Sequence, residues 1–322
     1  MAFLQEIEDR GYPADYLLAR IHGRRISLLR DWDKALAFPD ISEYLMSTHY
    51  RGFMPAHLPE GIWKLFLRES AWVYYQMNNE LRNIFKPYYM YSELNTLFTC
   101  LRYKSGKGNS AEIERVLEFS LISEKIKDIL KMDTDILSVL FLLEKKQAFI
   151  PGKPAGLQQV FLKDGLSGVE QKITKTLFEY IISPGIHPVM RRFFTFIADS
   201  RNIITLHKRL RWETTSVPDF IAGGSIKEPA LRKMVRSYKT EEFADLVYKL
   251  TGLRPEGPDA VSAENALHKR LTGKIKKWER ESPDIGLILN YLWRCATEAK
   301  NLSIIYFGRD IDKNILKEEL VY

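Results

Sequence analysis

The chain has 322 residues, of which 45% are hydrophobic and 28% are charged. This apolar content is too high for a disordered protein, and 18 glycines with 14 prolines exclude a collagen-like or low-complexity chain. The 48 lysines and arginines outnumber the 41 acidic residues, and this positive excess favours acidic partners, whether protein, nucleic acid or membrane.

The cysteines and the N-terminal residues bear on the compartment. Cys100 and Cys295 lie far apart without a CxxC motif, which excludes a disulfide scaffold or a zinc ribbon. The opening MAFLQEIEDR brings acidic residues before any apolar run, so we expect no signal peptide. The longest apolar run, 136–143, is much shorter than the ~20 residues that cross a bilayer. We therefore predict a cytoplasmic protein, peripheral to any membrane complex that it joins.

Apolar residues recur at helical spacing through almost the whole chain. In chain order we predict a helix that opens at Pro13, a short segment capped by Asp31, and a long helix over 60–85 that Pro87 stops. Further predicted helices cover 88–102, 110–123, 133–147, 168–182, 188–212, 228–236, 240–250, 262–280, 283–309 and 312–320. No stretch alternates as a strand does, so the predicted fold class is all-α.

An internal repeat is the strongest signal in the sequence. The segments 182–211 and 281–310 align at an offset of 99, and each carries an acid followed three residues later by an asparagine on a long predicted helix. These residues are Asp199 and Asn202 in the first segment, and Glu298 and Asn301 in the second.

A weaker third copy of the repeat lies near the end of the first hundred residues. Asn95 aligns there with Asn202 at an offset of 107, with Ser92 in place of the acid and Glu93 beside it. The repeat predicts three helical units, which cover 1–109, 110–215 and 216–322.

The repeated acid and asparagine favour a structural role over a catalytic one. Residues three apart share a helix face, and an asparagine in the middle of a helix needs a polar partner. A metal or catalytic site needs several ligands from one place, which one acid per repeat does not supply. We therefore predict hydrogen bonds from these side chains to neighbouring helices, and no catalytic residue, metal or cofactor.

Basic residues concentrate in two stretches. Residues 201–239 hold nine lysines and arginines against three acids, and 269–280 hold six against one. Arg232, Lys233 and Arg236 are candidates for partner binding, because a positive surface attracts acidic partners. The alternative, that these stretches are ordinary solvated helix surfaces, stays open.

Common sequence motifs of nucleotide-binding and hydrolytic enzymes are absent. The sequence contains no GxxxxGK[ST], GxGxxG, GxSxG or HExxH, and the segment Ser105–Ser110 lacks the first glycine of a P-loop. The enzyme hypothesis therefore has no positive support.

Three segments carry a family resemblance. They are Tyr12-Pro13 through Leu28-Leu29, Asp199-x-x-Asn202-Ile203 with Leu210-Arg211, and Tyr291-Leu292 through Glu298-x-x-Asn301-Leu302 to Leu320-Val321. They resemble the C/d family, which supplies the central-stalk socket of A/V-type rotary ATPases in archaea, bacteria and eukaryotes. Leu18 replaces the asparagine that the family prefers in the opening helix, and 110–165 matches poorly.

The resemblance implies both a fold and a function. The implied fold is three similar helical bundles around a pseudo-threefold axis, which form a funnel without an active site. The implied role is to sit on the membrane rotor ring, receive the central stalk, and couple ATP hydrolysis or synthesis to H⁺ or Na⁺ transport. Central-stalk rotor subunits and the rotor ring are then the partners.

Two other hypotheses compete with this one. A basic helical nucleic-acid-binding protein fits the isoelectric point near 9.1 and the basic residues beside aromatics at 207–212 and 274–278. No helix-turn-helix, RNP or zinc pattern supports it, so we expect no nucleic-acid partner. The third, a degenerate enzyme or a scaffold unrelated to ATPases, rests only on the departures from the family pattern.

Overall fold

The fold is all-α, as predicted. The computed structural model describes residues 3–53, 58–106, 110–145, 154–182, 185–211, 219–237, 240–252 and 260–321. In these ranges the only β-structure is an isolated bridge between Leu4 and Ile122. The helices there are α1 (Ala14–Arg24), α2 (Trp32–Ala37), α3 (Ile41–Leu45), the 3₁₀ helix His49–Phe53, α4 (Leu58–Gln76), α5 (Asn79–Ser105), α6 (Ser110–Leu117), α7 (Glu124–Lys131), α8 (Ile136–Lys145), α9 (Leu157–Ile181), α10 (Pro188–Arg211), α11 (Glu228–Ser237), α12 (Thr240–Thr251), α13 (Ala260–Glu281), α14 (Ile285–Phe307) and α15 (Lys313–Glu319).

None of the helices in the described ranges combines the length and the apolar character that a membrane span requires.

The chain divides into two compact units. Unit 1 comprises Met1–Glu8 and Arg82–Phe243, and unit 2 comprises Asp9–Leu81 and Ala244–Tyr322. These boundaries differ from those of the three predicted repeat units 1–109, 110–215 and 216–322, and the threefold division stays a prediction.

Aromatic side chains fill the core of unit 1. Tyr91 on α5, Phe178 on α9 and Phe194 on α10 meet edge to face, with ring centroids 5.8–6.0 Å apart. This geometry brings the positive edge of each ring towards the negative face of another, so it adds to the free energy gained by burial. The three long helices are therefore joined at one point.

Helix α14 is the central helix of unit 2, and most of its side chains are buried. A helix that is apolar on nearly every side needs neighbours all round it, and α1, α3, α4, α13 and α15 supply them. Gly286 lets the start of α14 lie close to the end of α13, because a Cβ atom at this position would lie only 2.5 Å from the backbone oxygen of Trp278.

The first two long helices divide at a different place from the one predicted. The expected helix over 60–85 breaks after Gln76, because Asn78 caps a new helix by accepting a hydrogen bond from the Leu81 nitrogen at 2.9 Å. Pro87 does not stop that helix but lies inside α5. Proline removes one backbone donor at a cost of about 3 kcal/mol, which the many buried side chains of α5 offset.

Other differences concern short or kinked helices. Helices α3 and α7 were not predicted, and α9 begins eleven residues before its predicted start at 168. The early start of α9 includes a kink at Gly165, whose φ of 67° lies in the left-handed region that glycine tolerates. The predicted cap of α2 is confirmed, since the Asp31 carboxylate accepts a hydrogen bond from the Lys34 nitrogen at 2.9 Å.

A half-buried histidine makes the stability of the chain depend on pH. His268 on α13 stacks on Trp293 with ring centroids 4.5 Å apart, and its Nε2 lies 3.3 Å from the hydroxyl of Thr297. Burial, followed by the charge of Lys300, lowers the pKa of His268 to about 3.

We predict that the folded chain loses stability as the pH falls below about 6.5, where the unfolded chain protonates His268 and the folded chain does not. Between pH 7 and pH 5 the wild type should lose roughly 2 kcal/mol more of its unfolding free energy than His268→Gln. Urea unfolding at both pH values measures this difference. Equal losses in the two proteins would contradict the prediction.

Candidate structural clamps and interaction surfaces

Helix α10 holds the irregular segment that precedes α11 through two buried side chains, Asp199 and Asn202, which we call the α10 clamp. The Asn202 amide donates to the carbonyl of Ile221 at 2.8 Å and accepts from the nitrogen of the same residue at 2.8 Å. The Asp199 carboxylate accepts from the nitrogens of Ser225 and Ile226, each at 3.0 Å, and from the Ser225 hydroxyl at 2.6 Å. The clamp therefore satisfies backbone groups that have no helical partner.

A glycine pair lets that segment come close enough to be held. A Cβ atom on Gly224 would overlap the Asp199 carboxylate, and one on Gly223 would overlap the side chain of Ile182. Gly223 also has a φ of 92°, which other residues rarely adopt. The two consecutive glycines are thus a sequence signal for the clamp that the repeat pattern alone does not reveal.

Helix α14 carries the second pair, Glu298 and Asn301, which we call the α14 clamp. The Asn301 amide donates to the carbonyl of Val321 at 2.7 Å and accepts from its nitrogen at 3.1 Å. Glu298 accepts from the Leu29 nitrogen at 2.6 Å and from the Tyr50 hydroxyl at 2.9 Å. The asparagines of both clamps thus bond both the N–H and the C=O of one residue each, 19 residues downstream of Asn202 and 20 downstream of Asn301.

In the first repeat the buried residues lie at a different register from the predicted one. Asn95 is exposed on α5, whereas Glu93 and Thr96 are buried. Glu93 accepts from the Leu121 nitrogen at 2.8 Å and the Ser120 hydroxyl at 2.7 Å. We propose Glu93 and Thr96 as the third pair, at an offset of 106 from the α10 clamp.

The protonation of Glu93 reflects this burial. Burial raises the pKa of the Glu93 carboxyl, and hydrogen bonds from Leu121, Ser120 and Thr96 oppose the rise. These hydrogen bonds hold the Glu93 side chain in one place, so Glu93 has a structural role like that of Asp199 and Glu298.

Most partners of the clamps lie in irregular segments rather than in the neighbouring helices that we predicted. The reason is that backbone groups inside a helix already bond to each other, while those of a buried irregular segment need side-chain partners. Sequence spacing cannot identify these partners, because the Leu29 nitrogen lies 269 residues from Glu298.

Two arginines of α1 bind that helix to its neighbours within unit 2. The Arg24 guanidinium lies 3.8 Å from the ring centroid of Trp72 and 2.5 Å from the Glu69 carboxylate. Arg20 lies over the same ring at 4.9 Å, and the Tyr291 hydroxyl donates to Glu69 at 2.6 Å. Stacking and ion pairing therefore join α1, α4 and α14 through residues of the first segment that carries the family resemblance.

Helix α11 presents a row of cations, the α11 stripe, formed by Arg232, Lys233 and Arg236. With Pro229 these residues line a shallow cleft of about 420 Å³. Lys233 and Arg236 are exposed, while Arg232 is half-buried and pairs with Glu228 at 2.5 Å. Arg236 follows Lys233 by three residues and Arg232 by four, so it shares a helix face with each of them and an acidic surface can meet all three cations.

The rest of the basic stretch 201–239 is divided between different environments. Arg201 lies 5.2 Å from the ring centroid of Tyr91 and donates to its hydroxyl at 3.2 Å, so it belongs to the interior of unit 1. Lys227 is exposed. Residues 212–218 and 238–239 lie outside the described residues.

The second basic stretch forms a row on α13. Its exposed members are Lys269, Arg270, Gly273, Lys276, Lys277 and Arg280. Partial burial, followed by repulsion from Arg270 and Lys277, lowers the pKa of Lys274 within this row.

Metal-ligand clusters and reactive thiols do not add a chemical site. In the part of the chain that the structure describes, no group of three or more His, Cys, Asp or Glu side chains could hold a metal ion. Both cysteines are buried, and burial raises the pKa of Cys100 to about 12.

We predict that Asn202→Leu and Asn301→Leu each lower the unfolding free energy by about 1–3 kcal/mol, because each leaves the backbone N–H and C=O of one residue without their side-chain partner. Asn95→Leu is the matched control, and its exposed position should keep the change within about 0.5 kcal/mol. Chemical denaturation of the three variants measures the effect. Unchanged unfolding midpoints for both clamp variants would contradict the structural role.

Comparison with known proteins identifies the family of the chain. The family model described as ATP synthase (C/AC39) subunit matches residues 17–319, from α1 to the end of α15. No curated protein matches the chain. The matched range includes both clamps, the α1 arginines and the α11 stripe. Because it covers nearly the whole chain, the chain belongs to the C/AC39 subunit family of V/A-type ATPases.

Proposed function

We propose that the chain is a non-catalytic central-stalk subunit of an A/V-type rotary ATPase, which links the rotor stalk to the membrane ring. In this role it couples ATP hydrolysis or synthesis to the transport of H⁺ or Na⁺. The observation that carries the proposal is the family match over residues 17–319. We further propose that it works on the cytoplasmic side of the membrane, as a peripheral subunit.

The clamps support a mechanical role. A part that transmits torque must resist local deformation, and buried hydrogen-bond networks hold irregular segments in a single arrangement. Asp199 and Glu298 use their carboxylate oxygens to accept from backbone and hydroxyl donors inside the chain. Both acids thus serve the fold, which fits a protein that carries load rather than one that performs chemistry.

The α11 stripe is the surface that we assign to a partner in the complex. Three cations in one row repel each other and are stabilised by an acidic partner surface. Glu228 neutralises part of the charge of Arg232, so Lys233 and Arg236 carry most of the attraction. The partner is the central stalk or the polar loops of the membrane ring, and both would bind by the same charge complementarity.

We predict that the triple variant Arg232→Glu/Lys233→Glu/Arg236→Glu binds stalk or ring subunits at least tenfold more weakly than the wild type. The matched control is Arg270→Glu/Lys276→Glu/Arg280→Glu on α13, which changes the net charge equally and should bind as the wild type does. Co-purification with the other ATPase subunits at low salt measures the difference, and added salt should weaken wild-type binding because ions screen charges beyond about 8–10 Å.

The controls separate this prediction from its alternatives. Equal loss in both variants would show that net charge rather than the α11 stripe determines binding. Unchanged association of the α11 variant would show that the stripe is an ordinary solvated surface. Salt-dependent retention on DNA without co-purification of any other part of the ATPase would favour the nucleic-acid hypothesis and contradict the proposed function.

A further inference from the structure

A cleft in unit 1 lies between α5, the end of α9 and the start of α10. Its volume of about 530 Å³ falls within the range of about 300–1,000 Å³ that is usual for sites that bind small molecules. The described residues that line it come from the first half of α5, from the last turn of α9, and from the segment 185–188 that leads into α10. All of them belong to unit 1, so the cleft lies within one compact unit.

Three polar side chains of the cleft have unused hydrogen-bonding capacity. Lys86 and Tyr180 are half-buried, and among the described residues neither side chain makes a hydrogen bond or an ion pair. His187 is also half-buried, and its Nδ1 accepts a hydrogen bond from the Val189 nitrogen at 3.3 Å. The ring hydrogen therefore lies on Nε2, which has no partner within the described ranges. Polar groups that are half removed from water and lack a protein partner are available to a ligand.

The charge of the lining defines the polar end of the ligand. Lys86 supplies a full positive charge, and none of the described lining residues is an aspartate or a glutamate. The Lys86 ammonium and the Nε2–H group of His187 can only donate hydrogen bonds, and the Tyr180 hydroxyl can donate as well. The ligand must therefore supply acceptor atoms. One negative charge matches the single lysine, whereas a phosphate ester carries about two.

Most of the remaining lining is apolar. The apolar side chains are those of Ile84, Pro87, Ile181, Ile186 and Pro188. Water leaves such walls with a gain in free energy when an apolar group covers them, and a bare ion cannot provide that cover. The ligand that suits the cleft thus has an apolar body attached to its charged end.

We propose that this cleft binds a small monocarboxylate with an apolar body, such as a medium-chain aliphatic acid or an aromatic acid. Lys86 pairs with the carboxylate, and Tyr180 and His187 donate to its oxygens. The isoleucines and prolines of the lining cover the apolar body. This site goes beyond the proposed function and does not depend on it.

A purely structural role for the cleft makes a different prediction. Pro87 has no N–H group, so the carbonyl of Asn83, one turn earlier in α5, lacks its usual helical partner. Both residues line the cleft, so water there can bond to this carbonyl. If hydration of the carbonyl is the only role of the cleft, no carboxylate should bind.

The test is equilibrium dialysis of the full chain at pH 7 and matched ionic strength against sodium octanoate, octanamide or sodium acetate. Octanoate has both parts of the expected ligand. Octanamide keeps the apolar body without the charge, and acetate keeps the charge without the body. Octanoate should bind at one saturable site per chain with a dissociation constant at or below about 1 mM, and the two controls should bind about tenfold more weakly or not at all.

Variants assign the binding to the cleft. Lys86→Met keeps most of the aliphatic side chain but removes the charge, so it should weaken octanoate binding about tenfold or more, and Lys86→Arg should restore it to within about threefold of the wild type. Tyr180→Phe removes only the hydroxyl and should weaken binding about threefold or more. Lys163→Met is the matched control, because it removes an exposed lysine of α9 that does not line the cleft, and it should bind octanoate as the wild type does.

Three outcomes would overturn the proposal. The first is the absence of saturable octanoate binding at concentrations up to about 10 mM, which would leave the cleft with a structural role only. The second is equal affinity for octanoate and octanamide, which would show that the cleft does not recognise the charge. The third is equal affinity of the wild type and Lys86→Met for octanoate, which would place the bound acid elsewhere. Because the dialysis uses the isolated chain, none of these outcomes bears on the proposed role in the central stalk.

Discussion

The structure depends on hydrogen bonds from the middle of long helices to half-buried or buried stretches of irregular backbone. Such backbone cannot leave water unless every N–H and C=O group finds a partner. Asn202 and Asn301 each bond both the N–H and the C=O of one residue, and Asp199 and Glu298 accept from further donors. A single amide both donates and accepts, so it fixes the direction as well as the position of the segment that it holds.

This constraint explains why acids occur inside an otherwise apolar core. Helix α14 buries Glu298 among residues such as Ala299 and Leu302. A buried carboxylate costs several kcal/mol unless donors surround it, and the Leu29 nitrogen and the Tyr50 hydroxyl provide them. The acid thus brings distant segments of unit 2 to one helix.

Local and repeated patterns are enough to predict the fold class and the clamp residues of two repeats, because helical spacing and the acid–asparagine pair recur within a short window. In the first repeat the prediction misses by one residue, since Asn95 matches the repeat by type while Glu93 and Thr96 match it by burial. The predicted helix end at Pro87 is wrong because local propensity gives no weight to the packing that carries α5 past it.

Contacts between residues that lie far apart in the sequence could not be predicted. Nothing in the sequence around Arg25 or Glu279 indicates that these residues form an ion pair across 254 positions. The same holds for Tyr50 and Glu298, which lie 248 residues apart. Such pairings depend on how helices pack, and a single sequence carries no measure of that.

Unit 2 is built from two separate stretches of the chain, and the ribosome makes them at different times. Asp9–Leu81 leaves the ribosome long before Ala244–Tyr322 exists. At a synthesis rate of about 5–20 residues per second, Leu29 and Tyr50 are made roughly 10–50 s before Glu298. During that interval the apolar residues of α1 and α4 have no α14 to cover them. Those apolar residues therefore stay open to aggregation until the end of synthesis, whereas most of unit 1 is made in one continuous run and can fold as it emerges.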